Sequence, residues 1–181
     1  MKTLTTTLPG VLIVELDQHV DSRGRFIETY RASNYAAHGI AATFVQDNLS
    51  TSVRGTLRGL HFQTGPHAQG KLVWVSRGEV FDVVADVRRE SPTFGRWVGT
   101  TLSAENRRQL WIPPGYAHGF LATSEHADVA YKVTEEYAAK AEASVRWDDP
   151  DLAIAWPITE PPLLSPKDAR APLLREILRA A

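Results

Sequence analysis

The chain has 181 residues, 43% of them hydrophobic and 23% charged, a balance that supports one packed domain and argues against disorder. Its 20 Lys and Arg against 21 Asp and Glu leave a net charge of -1, which removes any bulk electrostatic attraction to nucleic acid or an anionic membrane; an anion must be held by a local cluster. Cysteine is absent, which excludes disulfides, thiolate metal sites and cysteine nucleophiles and suits a reducing cytosol.

Met1 to Gly10 lacks the apolar run of a signal peptide, and no stretch approaches the ~20 apolar residues of a membrane span. A cytoplasmic protein without internal repeats is expected. Most of the chain then reads as short strands. Leu12, Val14 and Leu16 alternate with Ile13, Glu15 and Asp17, and residues 25–30 alternate too. Residues 33–38 suit a short helix capped by Ser33 or Asn34 and stopped at Gly39. The β-branched runs 71–75 and 79–87, joined by Ser76-Arg77-Gly78, look like a hairpin. Further strands are expected at 97–102, 109–112, 120–123, 129–134 and 144–147. Residues 150–172 hold six of the 11 prolines, so this part wraps the surface as irregular chain. Residues 171–181 read as a terminal helix, with Pro172 near its first turn and a stripe of Leu173, Leu174, Ile177 and Leu178. Many evenly spaced strands with few helices predict one all-β domain over 1–181, a sandwich or barrel. Residues 1–50 are expected either to belong to it or to reach a partner subunit.

Two segments carry candidate chemistry: Gly55 to Gln63, and Trp111 to Phe120. They resemble the two halves of a cupin signature on a double-stranded β-helix, the jelly roll. Pro113-x-Gly115-x-x-His118 has the spacing of the cupin's later His. The metal-binding half is broken twice: Gln63 stands where a second His belongs, and Lys71 where a Glu belongs. An ammonium ligates no metal and an amide is a poor transition-metal ligand, so no metal is expected. His61 and Lys71 instead form a minimal kit for removing a proton beside a carbonyl, a base with an oxyanion stabiliser. Inverting that carbon needs an acid on the opposite face, for which Tyr131 is a candidate. The base needs an orienting carboxylate, and Asp168 is available, although spacing alone does not place it beside His61. On an ideal strand His61 and Arg58 point to opposite faces, so a bulge near Gly59 is required if both enter the site. Lys71 has the parity of Val73 and Val75 and is expected to point inward.

Asp21 to Glu28, Phe44 to Ser50, Leu57 to Gln63, Gln69 to Val73, Ser91 to Gly95, Trp111 to Phe120 and Leu164 to Asp168 together resemble the dTDP-4-dehydrorhamnose 3,5-epimerases. Phe62 and Tyr116 are slight departures from the family pattern. The resemblance implies His61 as the base, Asp168 as its partner, Lys71 as the enolate stabiliser and Tyr131 as the acid. It implies that Arg58 holds substrate near the phosphates and that His118 lines the same pocket. Arg23, Phe26, Glu28, Gln46, Asn48 and Lys167 would serve the dTDP moiety, with Phe26 and Tyr137 stacking on the thymine. It also implies a homodimer in which part of the N-terminal segment crosses to the neighbour, and no metal or redox cofactor. Alternatives are a single-site epimerase acting at C3 or C5 only, a 3,4-ketoisomerase, and a non-catalytic cupin that binds a nucleotide sugar.

Overall fold

The computed structural model describes residues 1–180. Among the described residues thirteen strands run in chain order: β1 (Lys2–Thr5), β2 (Leu12–Glu15), β3 (His19–Asp21), β4 (Gly24–Phe26), β5 (Gln46–Val53), β6 (Leu57–Gln63), β7 (Lys71–Arg77), β8 (Glu79–Asp86), β9 (Trp97–Ser103), β10 (Arg108–Ile112), β11 (Tyr116–Ala122), β12 (His126–Val133) and β13 (Glu142–Ser144). Helix α1 (Ala32–Ala37) falls between β4 and β5, and α2 (Leu174–Ala180) closes the chain. Two sheets face each other as in a jelly roll, ordered β1-β2-β10-β7-β12-β5 and β13-β6-β11-β8-β9. The pair β3–β4 stands apart as its own two-stranded ribbon. Among the described residues no helix is long and apolar enough to cross a membrane.

Three apolar layers explain the β-branched runs. Between the sheets, Val73 and Val75 of β7 pack with Val80 and Val84 of β8, Phe120 of β11 and Val129 of β12. Outside the five-stranded sheet, Leu57, Leu60, Val83 and Leu121 are covered by Leu152, Trp156 and Leu174 of the tail. Outside the six-stranded sheet, Val14, Leu72 and Trp111 are covered by Tyr35 and Ile40. Central strands buried on both faces must be apolar at consecutive positions, as in Leu72-Val73 and Val83-Val84-Ala85.

The 71–87 hairpin is corrected. β7 pairs with β10 and β12, whereas β8 pairs with β11 and β9, so consecutive strands lie in opposite sheets. Gly78 makes this crossing with φ +74, and a Cβ there would lie 1.9 Å from the His126 carbonyl. Strand β4 ends at Phe26, short of the expected 25–30, and beyond it the Thr29 carbonyl accepts from the Tyr35 hydroxyl and the Gln109 amide. β11 and β12 begin earlier than expected, and β13 covers 142–144 rather than 144–147. Helix α1 is capped by Arg31 without a side-chain bond, so neither Ser33 nor Asn34 caps it. Helix α2 begins at Leu174, after Pro172, where Asp149 accepts the Leu174 N–H at 2.8 Å. Residue 181 and the Leu178 side chain of the expected stripe lie outside the described residues.

Candidate active site

At one end of the sandwich the inward-facing apolar pattern is interrupted by polar residues on both sheets. β5 turns Gln46, Asn48, Ser50 and Ser52 inward, while Asp47, Leu49, Thr51 and Val53 face out. Tyr131 of β12 lies opposite Asn48, and Val133 lies opposite Lys71 of β7. Across the gap, His61 of β6 lies opposite His118 of β11. Two adjoining cavities of about 150 and 240 Å³ open here, and His61, Lys71 and Tyr131 line both. Together they reach the size of a small-ligand site.

A β-bulge brings Arg58 and His61 to the same cavity. His118 pairs with His61 and Phe120 with Arg58, so Gly59 and Leu60 oppose the single residue Gly119. Gly59 has φ +114, and a Cβ on it would lie 2.7 Å from the Gly119 Cα, so only glycine fits this crossing. Arg58 is held against β5, its Nε donating to Ser52 Oγ at 3.1 Å and its Nη2 to the Thr51 carbonyl at 3.3 Å.

His61 Nε2 lies 2.5 Å from Asp168 Oδ1, on the short 3-10 turn Asp168–Arg170. The second Asp168 oxygen accepts the Ser165 hydroxyl at 2.9 Å. Burial raises the Asp168 carboxyl, but the bond and charge of His61, the Ser165 hydroxyl and the Gly59 N–H outweigh it and hold Asp168 below the ordinary carboxylate value. Asp168 is 4% exposed and His61 31%, so the carboxylate is the hidden member and the imidazole the presented one. With Nε2 engaged by the carboxylate, the other ring nitrogen is the one available to take a proton.

Lys71 is 8% exposed, and its Nζ donates to the His61 carbonyl at 3.3 Å. Burial pulls its ammonium down to about 8, against the charges of Asp82 and Glu142, which raise it. Tyr131 is half-buried, and desolvation raises its phenol while Arg58 lowers it. A raised phenol keeps its proton and can serve as a donor. Gln63 sits at the broken metal position but is engaged elsewhere: its amide donates to the His67 and Glu136 carbonyls and accepts the Ala138 N–H. No group of three or more His, Asp and Glu that could hold a metal occurs among the described residues.

The chain matches the profile described as dTDP-4-dehydrorhamnose 3,5-epimerase over residues 5–176. It belongs to that family. The dTDP-4-dehydrorhamnose 3,5-epimerase of Salmonella typhimurium is 52% identical over 179 residues, 98% of each chain. The crystal structure of dTDP-6-deoxy-D-glucose-3,5-epimerase from Legionella pneumophila, in complex with dTDP-4-keto-L-rhamnose, superposes with a TM-score of 0.94 at 51% identity, covering 97% of this chain and 94% of that one. The Mycobacterium tuberculosis epimerase gives 0.96 at 39% identity, covering 99% and 92%.

Of the residues expected in this family's site, His61, Lys71, Tyr131, Asp168, Arg58, His118, Gln46, Asn48, Tyr137 and Lys167 line the two cavities. Arg23 and Phe26 do not: they lie on the exposed β3–β4 ribbon, around a separate hollow shared with His19 and Asp21. Glu28 is exposed beyond the ribbon and pairs with Arg31. Among the polar residues that sequence reasoning missed, three support expected site residues. Glu142 accepts the Tyr137 hydroxyl at 2.7 Å and the Lys167 ammonium at 2.5 Å, which ties two expected ligand-binding residues together. Ser165 supports Asp168. Asp82, wholly buried, lies 2.9 Å from His118 Nε2 through each of its oxygens. Its signal was available, since it is a charged residue at the inward parity of Val80 and Val84, flanked by the apolar pairs Val80-Phe81 and Val83-Val84.

Proposed function

We propose that His61, Lys71 and Tyr131 carry the family reaction, conversion of dTDP-4-dehydro-6-deoxy-D-glucose to dTDP-4-dehydro-L-rhamnose. The observation that supports it is one cavity lined by a carboxylate-paired imidazole from one sheet and by an ammonium and a phenol from the other. His61 takes the proton from C5 or C3, and the C–H electron pair moves into the C4 carbonyl to give an enolate. The Lys71 ammonium stabilises the enolate oxygen, and Asp168 holds the imidazole in orientation and balances its acquired charge. The Tyr131 phenol delivers a proton to the opposite face of the carbon, which inverts it. Because both C–H bonds flank one ketone, a single oxyanion site serves both inversions. Neither step changes oxidation state.

Arg58 grips the diphosphate, while Gln46, Asn48, Tyr137 and Lys167 take the nucleoside end, and remote binding of this kind positions the ring for reaction. Arg23, Phe26 and Glu28 act on the site of a second copy of the chain, in a homodimer. The exposure of Val20 (74%) and Phe26 (68%) on the ribbon supports this, since large apolar side chains held away from the body call for a covering surface. A cysteine-free chain acting on a soluble nucleotide sugar suits the cytosol.

The test is NMR analysis of the 4-ketosugar incubated with the protein in D2O. Deuterium at both C3 and C5 with an L-configured product is expected. Labelling at one carbon favours a single-site epimerase, and no labelling favours a binding protein.

A further inference from the structure

We propose that Gln63 is a positioning residue for nucleotide binding, its side-chain amide holding the loop 135–138 so that the Tyr137 ring is set at the cavity before ligand arrives. The inference rests on the reading above that Tyr137 takes the nucleoside end. Gln63 stands at the position of the missing second histidine and is 4% exposed. A buried amide has two protons to give and an oxygen to satisfy. All three are used: Nε2 donates to the His67 carbonyl at 2.8 Å and to the Glu136 carbonyl at 3.2 Å, and Oε1 accepts the Ala138 N–H at 2.8 Å. A glutamate of the same length would turn a carboxylate toward two carbonyls with no proton to offer. An apolar side chain would leave all three main-chain groups unpaired.

The loop depends on such bonds because it belongs to no strand or helix. Four consecutive residues each give one main-chain group to a glutamine. The Glu135 carbonyl accepts from Gln69 at 2.7 Å, the Glu136 carbonyl from Gln63, the Tyr137 N–H donates to Gln46 Oε1 at 2.9 Å, and the Ala138 N–H donates to Gln63. These glutamines come from β5, from β6 and from the segment before β7, and all three line the same cavity as Tyr137. Gln63 is the member that holds the loop on both sides of Tyr137. The ring itself is 57% exposed and is fixed at its far end by the Glu142 carboxylate, 2.7 Å from its hydroxyl. Main chain and hydroxyl are therefore both tied while much of the ring stays open, which suits a flat partner. A loop ordered in advance spares the ligand the cost of ordering it.

Gln63→Met keeps the length and the neutrality of the side chain and removes all three bonds. dTDP affinity should fall about tenfold, the cost of ordering one or two residues on binding. KM for the 4-ketosugar should rise in step, with kcat within about threefold of wild type. Gln63→Asn, still polar but too short to reach both loops, gives the same reading if the Met variant does not fold. The deciding comparison is a double-mutant cycle. Tyr137→Ala should itself weaken dTDP binding, and adding Gln63→Met to it should change affinity by less than about twofold, because the loop no longer carries a ring to position. Losses that multiply in the double variant, or a Gln63 variant that melts lower yet keeps wild-type KM, overturn the proposal while leaving Tyr137 at the nucleoside end. Unchanged dTDP affinity in Tyr137→Ala overturns that reading of Tyr137 and the proposal with it.

Discussion

Lys71 and His61 belong to opposite sheets, yet the Lys71 ammonium reaches the His61 main-chain carbonyl at 3.3 Å. That contact spans the sandwich where its apolar filling stops, and it places a positive charge within the cavity that His61 faces. Burial holds this ammonium at about 8 instead of 10.5. Between those values the unfolded chain binds the proton and the folded chain does not, so stability rises with pH across that window. Below pH 8 the full penalty applies, about 3 kcal/mol for a shift of this size. Lys71→Met should therefore melt higher than wild type at pH 7, and the difference should shrink between pH 8 and 10.5. Turnover should be lost in the same variant. Thermal melts across pH, run beside an epimerase assay, measure both.

In the wild-type protein the same titration should appear in catalysis. kcat/KM should decline above about pH 8 as the ammonium is lost. A plateau extending to pH 10 would contradict an oxyanion role for Lys71.

Asp168 lies 107 residues from His61 in the chain and 2.5 Å from it in space. Its carboxyl is held below the ordinary value of 3.8, so its contribution to stability is complete above that pH and is lost as pH falls through the lowered value. Asp168→Asn should flatten the acid limb of the stability curve. It should also lower kcat on the order of 10³-fold, because the imidazole loses its orienting charge, while dTDP affinity stays nearly constant. Urea melts between pH 2 and 6 and steady-state kinetics check the two arms.

Gly59 at φ +114 crosses Gly119 with no room for a methyl group on either residue. Gly59→Ala should cost about 3 kcal/mol from the disfavoured backbone and the clash together. Activity should fall further than stability alone explains, because the bulge sets Arg58 and His61 in one cavity. A urea midpoint equal to wild type would contradict this.

How much of this was legible in the sequence depended on which neighbours decide each feature. The strands of the central layers were visible because β7 and β8 are buried on both faces and are rich in β-branched and aromatic residues. Their partners were not visible, since local signals around Gly78 are the same whether the chain folds back or crosses to the other sheet. β5 escaped notice because its pattern is reversed: Asn48 and Ser50 face the cavity, and Leu49 and Val53 face outward. The need for a bulge at Gly59 followed from parity alone. The pairing of Asp168 with His61 came from the family resemblance, because no local spacing links the tail to β6. Asp82 was overlooked inside a strand otherwise read as core.

The proposed reaction divides labour across the sugar ring, with His61 removing protons on one face and Tyr131 returning them on the other. Deuterium uptake from D2O into the 4-ketosugar, followed by NMR in His61→Ala and Tyr131→Phe, tests it directly. His61→Ala should show no uptake at C3 or C5, while Tyr131→Phe should exchange deuterium with retained configuration and form no L-configured product. Uptake at the wild-type rate in His61→Ala, or normal inversion in Tyr131→Phe, would contradict it.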